Sequence, residues 1–290
     1  MKRSVSVGRT FQLGTGVGGK EFDWQYFLEI VAHQISSLLK LGTTEGVVVV
    51  INGDQKSPLS EIIDGNGKTP SVVAMEKTFP EEIANGQIVV HLCKNWGYSS
   101  ALNEGIEIAR NEFDTELVLT LSPEIEIAGI ELDKAIEFMT EKKLSVLGFQ
   151  REGWQVPRNT IALWDPDALE KIRGFSLQCD DIGKTVLIPK FGKVPLAGME
   201  DYLALLMLLK RLLEMLPEIL FKTSPNPFWG MFGDSLEWNV DFPEGSEREY
   251  RHLMKVARQE AVMKEYAKWI FPDLPYEQVM KALSDHCCYL

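Results

Sequence analysis

Two adjacent carboxylates stand directly before the most apolar segment of the chain. Glu200 and Asp201 precede residues 202–216, in which twelve of fifteen residues are apolar, as in a buried helix. A carboxylate at the start of a helix can take a proton from a hydroxyl group and so serve as a general base. Acids at helix N-termini are also common caps, because they accept hydrogen bonds from free backbone N–H groups. Both interpretations of Asp201 are open at this level.

Glycines near the amino terminus suggest a different chemistry. Residues 14–20 read GTGVGGK and satisfy both G-x-G-x-x-G and G-x-x-x-x-G-K, patterns that place backbone N–H groups around a phosphate. The second pattern needs Ser or Thr after the lysine, where this chain has Glu21. The first needs an acid about 20 residues farther on, and Asp54 comes much later. A loop between a strand and a helix is the simpler interpretation, with a phosphate-binding enzyme that uses Gly14 to Lys20 as an alternative.

Apolar patterning predicts the elements that would position these residues. Short or continuous apolar runs, typical of strands in a parallel sheet, occur at residues 4–7, 47–51, 87–93 and 116–121. Helical spacing of apolar residues predicts helices over 24–38 and 100–111. This alternation of strands and helices argues for an α/β sheet with right-handed crossovers.

The alternation loosens in the second half of the chain. We predict a short helix over residues 167–172 and strands at residues 144–149, 159–164 and 186–189. Residues 223–245 are dense in Pro, Gly and aromatic residues, which predicts an irregular segment. Ser246 and Glu249 offer a capping box for a helix that reaches residue 270.

The segment from residue 95 to residue 127 carries a family resemblance. It reads NWGYSSALNEGIEIARNEFDTELVLTLSPEIEI. The spacing of Asn95, Gly97, Ala101, Asn103 and Gly105, followed by an apolar strand that ends in Leu-Ser-Pro-Glu, resembles the family 2 glycosyltransferases of the GT-A fold. The rhamnosyltransferase-like branch of that family is the most similar.

The resemblance extends in both directions from this segment. Upstream, the strand that closes in Asn52-Gly53-Asp54 is similar to the strand end with which the family contacts the nucleotide base. Downstream, residues 159–175 look like the acceptor-side strand, short helix and Gly-Gly-Phe segment. Gly198 to Tyr202 then stands where the family has a Glu-Asp motif that opens a helix. Residues from about 4 to 210 match in the expected order.

The resemblance implies a fold, a domain organisation and an activity. The fold would be α/β of the GT-A type, a mostly parallel sheet flanked by helices. Residues 1–210 would form the glycosyltransferase-like domain, and residues 211–290 an irregular segment with a helical C-terminal extension. The activity would be inverting transfer of a sugar from a nucleotide-diphosphate donor, a UDP- or dTDP-sugar, to a saccharide or other hydroxyl acceptor.

The resemblance also assigns site residues. Asp201, with Glu200 beside it, would be the catalytic base for the acceptor proton. The nucleotide would contact Thr10, Asn52, Asp54, Asn95, Gly97, Asn103 and Ser122.

A divalent cation, Mn²⁺ or Mg²⁺, usually offsets the charge on the leaving diphosphate in this family. It is held by an acidic pair at a strand end, since such cations prefer oxygen ligands. Here Ser122 replaces the first acid and Glu124 the second, so Glu124 is the predicted metal ligand. This substitution supports another alternative, a catalytically silent module that binds a nucleotide or glycan or scaffolds partners.

Composition limits the partners of the chain. Its 290 residues carry 30 Lys and Arg against 42 Asp and Glu, a net charge of −12, which argues against nucleic acid as a main partner. The four cysteines have no metal-binding spacing, which favours a reducing, cytoplasmic compartment. No transmembrane segment is predicted. A lipid-linked acceptor would require peripheral docking, and the sequence shows no polybasic patch for it.

Overall fold

The structure is a computed structural model. It describes residues 5–13, 24–53, 70–93, 98–122, 125, 127, 129–150, 156–159, 161–179, 182–215, 227–233 and 247–290. The described helices are α1 Trp24–Leu39, α2 Pro70–Thr78, α3 Pro80–Ala84, α4 Tyr98–Phe113, α5 Leu132–Lys142, α6 Pro166–Lys171, α7 Glu200–Met215, α8 Glu247–Ile270 and α9 Tyr276–Asp285. The described strands are β1 Val5–Leu13, β2 Thr44–Gly53, β3 Ile88–Cys93, β4 Leu117–Leu121, β5 Val146–Phe149, β6 Ile161–Trp164, β7 Thr185–Ile188, β8 Gly192–Pro195, β9 Trp229–Phe232 and β10 Cys287–Tyr289.

Eight of these strands form one sheet, in the order β10-β9-β5-β6-β4-β1-β2-β3. β6 pairs antiparallel with both β4 and β5, and the other described pairings in this sheet are parallel. β7 and β8 form a separate antiparallel hairpin. The predicted α/β class, a mostly parallel sheet flanked by helices, is confirmed.

Strand β2 shows why the apolar runs become central strands. Its residues from Val47 to Ile51 are all buried. Because side chains alternate across a strand, Val48 and Val50 join the core on one face of the sheet, while Val47, Val49 and Ile51 join the core on the other. Helices α4 and α7 contribute to the first core, and α1 and α5 to the second.

The apolar segment after Asp201 forms the buried helix that the sequence predicts. In α7, Tyr202, Leu203, Leu205 and Leu206 are inaccessible to solvent and pack in the first core. Val262 and Tyr266 of α8 belong to the same core, so α8 lies against α7. Among the described residues, no helix is both long enough and apolar enough to cross a bilayer.

Sequence analysis did not predict three short strands, β8, β9 and β10. β8 pairs with the predicted strand near residue 186, and β9 lies inside the segment predicted to be irregular. β9 and β10 extend the main sheet beyond β5. Within the predicted C-terminal extension over residues 211–290, the structure has helices α8 and α9 and two strands that pair in the sheet of the first 210 residues. The predicted boundary itself falls within α7.

Candidate active site

One edge of the main sheet brings together some of the residues that the sequence predicts as site residues, among them Thr10, Ser122 and the acid pair. The parallel strands end there with their carboxyl termini, while the antiparallel strand β6 begins there. The chain passes from β1 to β2 on one side, whereas β4 lies on the other side of β1. Such a reversal of strand order opens a crevice outside the carboxyl ends of an open α/β sheet, where ligands bind.

Backbone register places two predicted nucleotide contacts near each other. Gly8 of β1 pairs with Thr120 of β4, so Thr10 and Ser122 each follow two residues beyond that pair. Asn52 pairs with Gln12 and lies farther out on β2. The predicted nucleotide contacts Asp54, Asn95 and Gly97 lie outside the described residues, as do the predicted metal ligand Glu124 and the loop from Gly14 to Lys20.

A buried side chain from α1 fixes the chain just after β4. Gln34 donates from Nε2 to the backbone oxygens of Ser122, at 2.7 Å, and Ile125, at 3.0 Å. The backbone N–H of Ile125 also donates to the oxygen of Ser122. These bonds hold the backbone of Ser122 in place, so the end of β4 is anchored from the helix that follows β1.

The acid pair opens α7 at the same edge. Gly198 and Met199 both adopt positive φ angles, 82° and 62°, which turn the chain sharply before the helix. The hydroxyl of Tyr266 on α8 donates to the backbone oxygen of Gly198 at 2.7 Å and so braces this turn. Glu200 and Asp201 follow directly and are only 6% and 3% exposed.

Asp201 is held by donors from three residues. Its Oδ2 accepts from the backbone N–H of Asn159 at 3.0 Å and pairs with Nε of Arg158 at 3.2 Å. Its Oδ1 accepts from the backbone N–H of Tyr202 at 2.8 Å. The bond to Tyr202 comes from the next residue, not from two or three residues farther on as in an N-cap, and it orients the carboxylate within the first turn of α7. The bonds to residues 158 and 159 tie α7 to the beginning of β6.

Asn159 connects both acids to the end of β4. Its Nδ2 donates to Oε1 of Glu200 at 3.1 Å, while its Oδ1 accepts from Nε1 of Trp164 at 2.9 Å. The hydroxyl of Thr120, one residue before the end of β4, lies 3.4 Å from the same Oδ1. All of these groups are buried, so the network rigidly positions the acid pair beside β4.

Burial and the neighbouring charge of Asp201 raise the pKa of Glu200 to about 7. Its own backbone N–H, Asn159 and Arg158 oppose that rise. A carboxyl group with a pKa near 7 exchanges a proton at neutral pH, which suits acid–base chemistry.

Asn103 is engaged elsewhere in the fold. Its side chain accepts from the backbone N–H of Phe175 and donates to the backbone oxygen of the same residue, both at 2.8 Å. It also lines an open groove of about 960 Å³ between α4 and α6, together with Arg110 and Glu170. The observed contacts of Asn103 are therefore structural, and its contact with a nucleotide stays a prediction.

The described residues include no cluster of side chains that could serve as the ligands of a cation. Among them, no three His, Cys, Asp or Glu side chains come together as metal ligands would. Ser122, at the first position of the predicted pair, carries no charge. We therefore keep the divalent cation as a prediction and derive no step from it.

Sequence analysis missed Asn159 and Arg158 as site residues. They stand 42 residues or more before Asp201, and nothing in their local sequence marks them as its partners. One signal could have found them. If β6 had been predicted to run antiparallel to its neighbours, the residues just before it would have been expected at the edge where the parallel strands end.

Comparison with solved structures gives independent support for the fold. No protein-family model matches the sequence, and no curated protein is recognisably similar to it. A crystal structure of residues 1–349 of S. aureus TarS, a glycosyltransferase, is similar over 99% of this chain and 70% of that one, with a TM-score of 0.50 and 15% identity.

Further solved structures match more weakly. TarS in complex with UDP-GlcNAc matches over 99% of this chain and 71% of that one, with a TM-score of 0.49 and 14% identity. A CMP:2-keto-3-deoxy-manno-octonic acid synthetase complexed with CTP matches over 89% of this chain and 99% of that one, with a TM-score of 0.39 and 12% identity. The fold of this chain is glycosyltransferase-like, of the kind found in nucleotide-sugar transferases.

Proposed function

We propose that this protein is an inverting glycosyltransferase that moves a sugar from a nucleotide-diphosphate donor to a hydroxyl acceptor. One observation carries the proposal. Asp201 and Glu200, the acids expected to open α7, lie at the carboxyl edge of the sheet and are joined through Asn159 to the end of β4. The reversal of strand order between β1 and β4 lies at this edge, where an α/β sheet binds its ligand.

The proposed reaction is a single displacement at the anomeric carbon of the donor sugar. The acceptor hydroxyl loses its proton to Asp201 as its oxygen forms a bond to that carbon. The bond from the carbon to the diphosphate oxygen breaks on the opposite face, and its electron pair leaves with the nucleotide diphosphate. The products are an inverted glycoside, the nucleotide diphosphate and a protonated carboxyl group, which then returns its proton to water.

The hydrogen bonds of Asp201 limit how an acceptor can approach it. An ionised carboxylate offers about four lone-pair positions. Among the described residues, Arg158 and Asn159 occupy Oδ2, whereas Oδ1 accepts from the N–H of Tyr202 alone. The acceptor hydroxyl would therefore meet the open position on Oδ1. Arg158 and Asn159 would orient the carboxylate, and Glu200, with its pKa raised to about 7, would be a neighbouring group that gains and loses a proton near neutral pH.

Nucleotide binding tests the first half of the proposal. UDP and UDP-GlcNAc are the first ligands to use, because TarS has been solved with both, followed by dTDP and dTDP-sugars, each with Mg²⁺ or Mn²⁺. A ligand at one hundred times its Kd stabilises the native state by about 2.7 kcal/mol, which thermal unfolding detects. We expect a shift with UDP or dTDP and none with ATP or NAD. A shift with ATP or NAD alone would favour the glycine loop instead.

Release of nucleotide diphosphate in the presence of a panel of hydroxyl acceptors tests the second half. We expect Asp201→Asn to lower kcat by about 10²–10⁴, the usual contribution of a general base, and to leave nucleotide binding intact. Asp167→Asn is the matched control, because Asp167 lies in an exposed ion pair with Arg110. Equal activity of wild type and Asp201→Asn would remove Asp201 from the mechanism.

A silent binding module is the second candidate function. The near-complete burial of Asp201 and its three hydrogen-bond donors favour it, because a general base must reach the acceptor hydroxyl. Nucleotide binding without turnover, across a broad panel of sugar nucleotides and acceptors, would establish this alternative and reject the transferase.

A further inference from the structure

An exposed surface combines apolar and basic side chains at the β7–β8 hairpin and the first half of α8. We call it the hairpin–helix patch and define it by residues 184–195 and 250–258. Phe191, at the hairpin turn, and Tyr250, on α8, meet edge to face with their ring centroids 5.0 Å apart. The NH1 group of Arg258 donates to the backbone oxygen of Pro195 at 2.7 Å. These contacts make the two segments one continuous surface.

Large apolar side chains of this patch face solvent. Leu187 is 72% exposed on the hairpin, and Val256 and Tyr250 on the helix are 54% and 47% exposed. Leu253 lies between the two helical residues and is also exposed. Single exposed apolar residues are ordinary, but several of them on two segments that contact each other mark a surface that binds something.

The pleat of the hairpin explains why Leu187 is left outside the core. Val186 and Val194 form a cross-strand pair whose side chains pack toward the protein interior. Leu187 and Lys193 form the next pair and therefore point to the opposite face. A leucine and a lysine thus stand side by side on the outer face of the hairpin.

The same patch is free of acidic residues in sequence. Residues 182–199 contain Lys184, Lys190 and Lys193 and no Asp or Glu, and residues 250–259 contain Arg251, Lys255 and Arg258 and no Asp or Glu. Lys184 pairs with Glu265 of α8. Lys190, Lys193 and Lys255 are exposed. In a chain of net charge −12, this concentration of positive charge stands out.

The fold assembles this basic surface from two distant segments. Neither segment is a polybasic run by itself, which is why the sequence predicted no such patch. Glu265 neutralises Lys184 of the patch by pairing with it, whereas acids more than about 8–10 Å from Lys190 and Lys193 are screened at physiological salt. A surface held against the patch therefore experiences mainly its local charge.

We propose that the hairpin–helix patch docks this protein on an anionic lipid bilayer. Apolar side chains on an interfacial element enter the boundary between head groups and acyl chains, while neighbouring lysines bind the anionic head groups. Leu187 at the hairpin and the stripe of Tyr250, Leu253 and Val256 on α8 provide the first component. Lys190 and Lys193 provide the second.

Docking would orient the candidate active site relative to the bilayer. The chain runs directly from β8 through residues 196–199 to Glu200. Arg258 and Tyr266 of α8 bind the backbone at both ends of that connection, at Pro195 and Gly198. The patch and the acid pair are thus parts of one braced unit, and an acceptor anchored in the bilayer would be presented near the acids.

Co-sedimentation of the full chain with lipid vesicles tests the proposal. We expect binding to vesicles of phosphatidylcholine mixed with phosphatidylglycerol, weaker binding at high salt, and little binding to phosphatidylcholine alone. The double variant Lys190→Gln, Lys193→Gln should lower the partition coefficient about thirtyfold, since each lysine near an anionic surface contributes about fivefold. Leu187→Asn should lower it roughly tenfold.

Matched variants distinguish docking through the patch from a nonspecific effect of lost charge or lost apolar surface. Lys77→Gln with Lys171→Gln removes the same charge from exposed positions outside the patch, and Leu177→Asn removes an exposed leucine elsewhere. Both should bind vesicles as the wild type does, and all variants should keep the wild-type melting temperature.

Three outcomes would overturn the proposal. They are equal binding to both kinds of vesicle, an equal loss of binding in the control variants, and tighter binding to soluble polyglutamate than to anionic vesicles. The last result would assign the patch to an acidic protein partner. None of these measurements depends on turnover, so the docking proposal and the transferase proposal fail separately.

Discussion

The two charged regions that flank residues 196–199 are built in opposite ways. On one side, Glu200 and Asp201 are buried, and each carboxylate accepts hydrogen bonds from named donors. On the other side, Lys190 and Lys193 are exposed on the hairpin. A buried charge must be paired or neutralised, whereas an exposed one is solvated by water. Substitutions in the acid pair should therefore change stability, and those in the patch should change only binding.

The largest effect on stability should come from Arg158→Met. This variant removes the guanidinium group from Asp201, whose carboxylate then loses its ionic partner in a buried site. Removing one partner of a buried pair costs about 3–5 kcal/mol, and we expect about 3 kcal/mol because Arg158 is partly accessible. Urea unfolding measures it, with Arg211→Met, in an exposed pair with Glu214, as the control. Equal losses in both variants would mean that burial of the acid pair has no energetic role.

A second, pH-dependent effect should come from Glu200→Gln. The pKa of Glu200 is raised in the folded state to about 7 from an ordinary value of 4.5. Between pH 4.5 and about pH 7, the carboxyl group of Glu200 is ionised in the unfolded chain and still protonated in the folded chain. The free energy of unfolding of the wild type therefore falls as the pH rises through this range. Glutamine mimics the protonated form and removes that dependence.

The variant should therefore match the wild type below about pH 4.5 and exceed its stability by on the order of 2 kcal/mol at pH 8. Urea unfolding across this pH range measures the difference. Glu170→Gln, at an exposed position, should leave the pH profile unchanged. A Glu200→Gln variant that is less stable than the wild type at pH 8 would contradict the raised pKa.

A smaller effect should come from Tyr266→Phe. The hydroxyl group that it removes donates to the backbone oxygen of Gly198, in the turn before the acid pair. Loss of such a bond typically costs about 1 kcal/mol. Tyr250→Phe, at an exposed ring, is the control and should change the unfolding free energy by less than about 0.5 kcal/mol. If the two variants were equally stable, α8 would not brace the turn.

The smallest effect should come from the patch itself. Lys190→Gln with Lys193→Gln should leave the free energy of unfolding within about 0.5 kcal/mol of the wild type, because both side chains are exposed. The same urea titration measures it. A loss above about 1 kcal/mol would show that these lysines stabilise the fold, and the contrast with the acid pair would disappear.

The elements that sequence analysis predicted are those with strong local patterns. The valine run of β2 and the leucine-rich α7 each carry enough apolar residues to identify their type and burial. The apolar pattern placed this helix at residues 202–216 and in the core, and the structure begins it two residues earlier, at Glu200. The fold class was predictable for the same reason.

The missed strands and the missed partners of the acid pair depend on contacts between distant residues, whereas the missed helices α2, α3 and α5 are local elements. β9 is four residues long and gains its place by pairing with β5, Val146 against Trp229. β10 is shorter still and pairs with β9. The network around Asn159 likewise joins side chains that are far apart along the chain. Local patterning contains no signal for such pairings, and only the folded sheet reveals them.

The reversed direction of β6 has an electrical consequence. Parallel strands finish with carbonyl groups, so an edge made only of their ends offers mainly partial negative charge. β6 starts at this edge instead, and the amide of Asn159 just before it points its hydrogen at Asp201. A shift of one residue in the approach to β6 would move this N–H away from Oδ2 and leave Arg158 as its remaining described partner. The length of the approach therefore determines whether a backbone amide reaches the acid.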